Sequence, residues 1–298
     1  MSPLGKDTPS DRKRRVQNYY ASLESKIGYH LLLGGTRHYG YYPTSTSLPI
    51  PVGRPLRAME DHVYERLQLA PGAYVLDAGC GDGFVAIRMA QRGIRVQGIE
   101  IVDRHVRHAK RNIRSQHPSL EAAITIRKGD YHDLSVFDDG TFDGAYTMET
   151  LVHSADPQKA LKEIYRVLKP GGSLALNEYH HCNLSSAPKP IRRSFAQINY
   201  YSSMPSFTRF ELGVLKGMIE ETGFEKVTFA DISDNVTPMV RLFFLLAYIP
   251  FFFVELFGVQ EHFINTVAGV TGYRGREYLK YGVYSAKKPS YEDEKSLM

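Results

Sequence analysis

The chain has 298 residues, of which 43% are apolar, with a formal charge of +5 and two cysteines. That apolar share supports a full globular core, and the length allows one large domain or a domain with a sizeable appendage. The basic excess is split between Arg12–Arg15 and Arg104–Arg114 with no nucleic-acid motif beside either, so no nucleic-acid partner is expected. Cys80 and Cys182 without an apolar leader predict no disulfide framework, and cytoplasmic residence is the default.

In chain order, residues 1–15 are polar and basic and read as a disordered arm. Val16 to Leu33 has helix-compatible apolar spacing and ends at Gly34-Gly35. His38, Tyr39, Tyr41 and Tyr42 form an aromatic loop, Pro49 to Pro55 an extended connector, and Arg57 to Leu69 a second helix. Residues 1–55 are thus an arm, a cap helix and a loop placed ahead of a core at 56–180.

The core opens with Tyr74-Val75-Leu76-Asp77-Ala78-Gly79-Cys80-Gly81-Asp82-Gly83, an apolar strand running into an acidic, glycine-dense turn, with a helix from Phe84. Glycine lets backbone approach a ligand closely and adopt positive φ. In an open α/β sheet such a turn lies in the crevice at the strands' carboxyl ends, where nucleotides bind. Phe84 occupies the third glycine position of a dinucleotide fingerprint, and Asp77 and Asp82 would repel a pyrophosphate. A cationic nucleoside suits them better. Glu100 ends the next strand, where an acid meets ribose hydroxyls.

Strands at 74–78, 95–100, 123–128, 142–147 and 173–179 alternate with helices at 84–92, 103–115 and 156–168. That alternation predicts a parallel sheet with helices on both faces. Residues 181–290 then complete the sheet: an irregular excursion over 185–206, a helix at 209–222, a strand at 226–232 and an antiparallel last strand at 282–287. Between those strands Leu242–Val254 is an uncharged run of about 13 residues with Pro250 inside. It is read as too short to span a bilayer, which takes roughly 20. A buried layer, a greasy pocket wall and a patch on a membrane surface remain open.

The ordered motifs VLDAGCGDG, Glu100, Lys128-Gly129-Asp130, Phe142-Asp143-Gly144-Ala145-Tyr146, Met148-Glu149-Thr150-Leu151-Val152-His153 and Glu163 to Gly172 resemble those of class I S-adenosylmethionine (SAM)-dependent methyltransferases. Within these, the stretch from Tyr146 to His153 and the Pro-Gly-Gly run resemble the sterol 24-C-methyltransferase branch. The resemblance implies a Rossmann-like seven-stranded sheet and SAM as cofactor. It assigns Asp77, Gly79 and Gly81 to the methionine end, Glu100 to the ribose, and Asp130 with Tyr131 to the adenine. Tyr20 resembles the aromatic residue that closes over SAM.

For the chemistry, Glu149 follows the fourth strand and His153 lies one helical turn on, a candidate base. His38, Tyr41, Tyr42, Tyr179 and His180 are candidates for contacting a hydrophobic substrate. His180-His181 point to opposite faces of a strand and no acidic cluster joins them, so no metal is expected. The branch's N-terminal Y-E-Y-G-W stretch is replaced here by Lys26-Ile27-Gly28-Tyr29-His30, which weakens a sterol as acceptor. Three functions stay open: methyl transfer, preferably to carbon, onto a terpenoid, sterol-like lipid or polyketide; a SAM-bound pericyclic (Diels–Alder) reaction; or a non-catalytic SAM- or lipid-binding subunit. A homo-oligomer is compatible with each.

Overall fold

A computed structural model describes residues 17, 19, 20 and 22–290; the expected arm at 1–15 lies outside the described residues. The seven strands are β1 (Tyr74–Ala78), β2 (Arg95–Glu100), β3 (Ile124–Lys128), β4 (Phe142–Met148), β5 (Leu168–His181), β6 (Glu225–Asp231) and β7 (Leu279–Lys287). They form one sheet in the order β3-β2-β1-β4-β5-β7-β6. β1 to β5 pair in parallel, while β7 pairs antiparallel with both β5 and β6. This is the class I methyltransferase sheet. The strand order reverses between β1 and β4, so their carboxyl ends diverge and leave a crevice.

Helices α1 (Leu23–Leu33), α2 (Gly53–Leu67), α3 (Phe84–Gln91), α4 (Asp103–Gln116), α5 (Pro157–Val167), α6 (Lys189–Tyr201), α7 (Val214–Glu221), α8 (Ser233–Phe257) and α9 (Ile264–Arg274) surround it. The period-two alternation of the strands assigns their side chains to two cores. Val75, Val96, Tyr146 and Val283 pack with α2, α3 and α4, where Met59, Val63 and Leu67 are fully buried. Burying each of those three side chains contributes about 1.5–3 kcal/mol. Leu76, Ala145, Leu174 and Tyr284 face the opposite core, built with α5, α6 and α7.

Local chemistry sets the boundaries. Asp156 caps α5 by accepting from the Lys159 amide (3.0 Å), with Pro157 at the first helical position. The strand after α5 starts earlier than its glycines suggest. Leu168 already pairs with Phe142, and Lys169–Gly172 bulges out before Ser173 resumes the register opposite Gly144.

Two elements correct the sequence reading. Residues 189–201, expected to be irregular, form α6, because Phe195 and Ile198 bury a face one turn apart. Leu242–Val254 is part of the 25-residue α8, with both Pro238 and Pro250 inside it. Proline lacks an N–H and crowds the preceding turn, but Pro250 is exposed and the helix continues past it to Gly258. By length and composition α8 could cross a membrane, so the 13-residue run understated it. It nevertheless packs along α9, where Gly269 lies against Phe243 and Ala247 so closely that a Cβ there would fall 3.1 Å from the Phe243 carbonyl oxygen. α8 is therefore neither a wholly buried layer nor free of the domain: Met239, Phe251 and Val254 face inward and much of the rest faces out.

Candidate active site

Two adjoining sites occupy the crevice. The first is the turn after β1. Gly79 and Gly81 both hold positive φ (+99° and +52°), which glycine tolerates and other residues resist. The Gly79 and Cys80 amides donate to the Ile99 carbonyl, and Glu100 accepts from the Gly81 amide (2.9 Å) and the Val102 amide (2.8 Å). The turn is thereby fastened to the end of β2. Asp77 is buried, accepts from the Tyr146 hydroxyl at 2.7 Å, and lies close to Glu100. Burial foremost, with repulsion from Glu100, pushes its pKa up to about 7 against the lowering effect of the Tyr146 hydrogen bond.

Above this turn sits Tyr20. Its hydroxyl lies 3.3 Å from His153 Nε2, its ring packs edge-on to His105, and Arg104 donates to its carbonyl oxygen. Arg37 lies over the same ring, 4.9 Å from its centroid, and pairs with Asp82 at 2.9 Å. A Cβ added to Gly81 would meet nothing nearer than Arg37 Cδ, at 3.9 Å, so the turn's backbone is open on the side where Arg37 waits. Of the residues expected to meet the adenine, Asp130 is held by His132, and the Tyr131 hydroxyl donates to the Thr150 carbonyl.

This donor set fits SAM. Carboxylates of Asp77 and Asp82 match an ammonium, Arg37 matches the α-carboxylate, Glu100 matches vicinal hydroxyls, and no phosphate-binding nest is present among these residues. Arg37 and Tyr146 escaped the sequence reading, since neither belongs to the glycine turn.

The second site adjoins the end of β4. Glu149 takes a left-handed φ of +56°, which a non-glycine residue adopts only where its surroundings enforce it. Its side chain accepts from the Tyr39 amide (2.8 Å) and the Tyr281 hydroxyl (2.6 Å), and also bonds the Tyr179 hydroxyl. The rings of Tyr39, Tyr179 and Tyr281 pack edge-to-face, with centroids 5.6–5.9 Å apart, and Phe243 of α8 lies 6.0 Å from Tyr39. Burial pushes the Glu149 pKa up to about 7, opposed by the nearby His38 and the Tyr281 and Tyr39 hydrogen bonds. His38 lies 3.4 Å from Glu60 and is raised by that carboxylate despite its burial.

His153 is engaged on both nitrogens, by Tyr20 and by the Ser203 carbonyl at 2.9 Å. Burial holds its pKa below the usual histidine value.

The structure brings Tyr179 and His38 beside Glu149, while three other candidates lie elsewhere. Tyr42 is buried in a satellite core with Leu33, Leu56 and Met239, its hydroxyl spent on the Pro49 carbonyl. Tyr41 stacks on His62. His180 points through the opposite face of the sheet, among Phe210, Phe229 and Tyr284, as strand alternation from Tyr179 requires. Tyr281 was missed; it comes from β7, 132 residues from the carboxylate it holds.

Residues 76–176 match the methyltransferase-domain family. The chain is 39% identical over 280 residues to the S-adenosyl-L-methionine-dependent Diels-Alderase iccD of Talaromyces variabilis, covering 93% of this chain and 96% of that protein. It belongs to the SAM-dependent methyltransferase family, with SAM as its cofactor. Among solved structures the [4+2]-cyclase SpnF superposes with a TM-score of 0.73 at 24% identity, covering 92% of this chain and 95% of that one. A sterol 24-C-methyltransferase of Eremothecium gossypii is 29% identical over 76% of this chain and 60% of that protein. The resemblance to the family holds; its sterol branch is a more remote likeness than the Diels-Alderase.

Proposed function

We propose that the protein is a SAM-dependent pericyclase that closes a ring by [4+2] addition within a hydrophobic small molecule carrying a diene and a carbonyl-activated alkene. One observation carries this reading: both candidate bases, Glu149 and His153, are already committed to protein partners. Methyl transfer to carbon followed by proton loss, or to a hydroxyl, calls for a base within reach of the acceptor. A [4+2] addition needs none. Two carbon–carbon σ bonds form, three π bonds become one, and no atom enters or leaves. The similarity to a Diels-Alderase along nearly the whole chain supports the same reading.

The residues then have definite tasks. Tyr39, Tyr179, Tyr281 and Phe243 enclose an apolar chain in a folded, reactive conformation, and such positioning lowers barriers by up to about 7–11 kcal/mol. Glu149, protonated below about pH 7, can donate that proton to the Tyr179 hydroxyl it already bonds, which frees the tyrosine O–H for the carbonyl that activates the alkene. A hydrogen bond that strengthens as charge grows on that oxygen favours the transition state. SAM, when bound, would supply a sulfonium charge that polarises the substrate.

The test is incubation of the enzyme and SAM with linear polyene substrates bearing an unsaturated carbonyl, read by mass spectrometry. A cyclised product of unchanged mass is expected. A product heavier by one methyl group, with S-adenosylhomocysteine released in equal amount, overturns the proposal in favour of methyl transfer.

A further inference from the structure

The outer face of α8 has no role in either site. Leu245, Ile249, Phe252 and Leu256 follow one another at four- and three-residue steps, a single stripe along the helix, with Phe253 and Phe257 beside it. All six are at least half exposed, and Ile249 and Phe257 reach 70%. At 1.5 Å per residue the stripe runs about 18 Å. With large side chains offering about 150–250 Å² each, it presents on the order of 800 Å² of apolar surface, above the few hundred a monomer usually leaves exposed.

One border of this stripe is built from alternating cations and aromatic rings. Arg276 lies over Tyr273 (4.6 Å), Tyr273 packs on Phe244 (4.8 Å), Phe244 on Tyr248 (5.2 Å), and Arg274 covers Tyr248 (5.7 Å). Gly275, between the two arginines, packs against Ile191 and Phe195 of α6. That contact places the exposed Lys189, Arg192 and Arg193 in the same quarter. The acids in the region are Glu255, Glu261 and Glu277, so cations outnumber them. An apolar crest bordered by tyrosine and arginine is the pattern of a helix lying in a bilayer interface: rings and guanidinium stems at the headgroups, aliphatic and phenyl groups among the acyl chains.

We propose that α8 docks the enzyme on an anionic lipid bilayer, with Phe252, Phe253 and Phe257 inserted and Arg274 and Arg276 at the headgroups. A second copy of the chain suits the stripe less well. Its exposed crest offers only Tyr248 and Glu255, both at one edge, as hydrogen-bonding side chains, whereas protein interfaces carry about one hydrogen bond per 100–200 Å². The same helix turns Met239 toward the Gly40 amide and Phe243 toward Tyr39 of the tyrosine cluster around Glu149. Docking would bring that cluster beside the phase in which an apolar substrate dissolves. The inference does not depend on which reaction the site performs.

The full chain, with SAM present, is sedimented with vesicles of phosphatidylcholine alone or with about 30% phosphatidylserine. Wild type is expected to bind the anionic vesicles and to bind less at 0.5 M salt, which screens the cationic border. Phe252→Glu with Phe257→Glu should cut the bound fraction at least about tenfold while calorimetric SAM binding persists. Arg274→Glu with Arg276→Glu should abolish the preference for phosphatidylserine. If the double phenylalanine variant fails to bind SAM, Phe257→Asp alone, at the helix end, takes its place. Wild type that ignores both vesicles overturns the proposal, as does undiminished binding by the variants. So does light scattering that shows a dimer dispersed by the same substitutions, since the stripe would then be covered by a second copy.

Discussion

Asp77→Asn separates the two tasks of the most buried carboxylate in the cofactor site. The substitution preserves shape, and the Tyr146 hydroxyl can still donate to the amide oxygen, so what is removed is charge. In the free protein that charge is a burden. An Asp pKa raised from 3.8 to about 7 means that between those values the unfolded chain has shed a proton the folded chain still holds. Stability therefore falls as pH rises from 3.8 to 7, and above 7 the full penalty, about 4 kcal/mol at 1.36 kcal/mol per pH unit, is present. Without SAM at about pH 8, Asp77→Asn should raise the melting temperature by several degrees. With SAM the sign reverses, because the carboxylate then faces an ammonium. Losing a hydrogen bond to a charged group costs about 1.5–3 kcal/mol, so Kd should rise roughly 10- to 150-fold. Wild-type Kd should also weaken by up to about tenfold per pH unit below 7, where binding must expel the proton, and the variant should lack that slope. Calorimetry and scanning fluorimetry read both effects. Equal SAM affinity of the two proteins at about pH 8, with parallel pH profiles, would refute the assignment of Asp77 to the methionine ammonium.

The remaining predictions concern Glu149 and the turn itself. With Glu149 pushed up to about 7, the active protonated form is lost as pH rises through that value. Cyclisation should decline above neutrality in a pH–rate profile, and Glu149→Gln, a permanent donor, should flatten it; an unchanged decline in the variant would acquit Glu149. At Gly79 a Cβ would lie 2.6 Å from Thr150 Cγ2 at a φ of +99°, so Gly79→Ala should destabilise the fold by about 2–4 kcal/mol. Chemical denaturation measures it. Adding Thr150→Ser, which deletes that methyl, should recover part of the loss, because the contact with the position-150 Cβ at 2.9 Å and the φ strain both persist.

Most of the cofactor site could be read from the chain because its signals are local. A glycine turn between a strand and a helix, and acids at two successive strand ends, reflect backbone geometry confined to a few residues. The tyrosine cluster around Glu149 had no such signal. Tyr179 meets Glu149 through the β4–β5 pairing, and Tyr281 only because β7 inserts beside β5, a long-range pairing that leaves no mark in either strand's composition. Tyr42 and His180 were indistinguishable from their neighbours by residue type, and only the direction imposed by packing and strand alternation removed them. Arg37 escaped for the opposite reason: it stands in a loop whose tyrosines drew attention, and its partner Asp82 is 45 residues away. The length of α8 was hidden because the uncharged run ends at Arg241 and Glu255, which the helix carries within it, and because a proline ordinarily interrupts a helix. On the exposed side it did not.

The position of β7 has a consequence for how the chain acquires its shape during synthesis. β5 and β6 are separated by a gap that only β7, seventh in chain order, can fill. Until it emerges, β5 lacks a neighbour along one side and β6 has none at all, while the greasy outer stripe of α8 has already left the ribosome. Such an intermediate offers open edges and sticky surface together, a combination that invites aggregation. Were α8 to dock as proposed, early contact between that stripe and a lipid surface would shelter it until β7 closes the sheet.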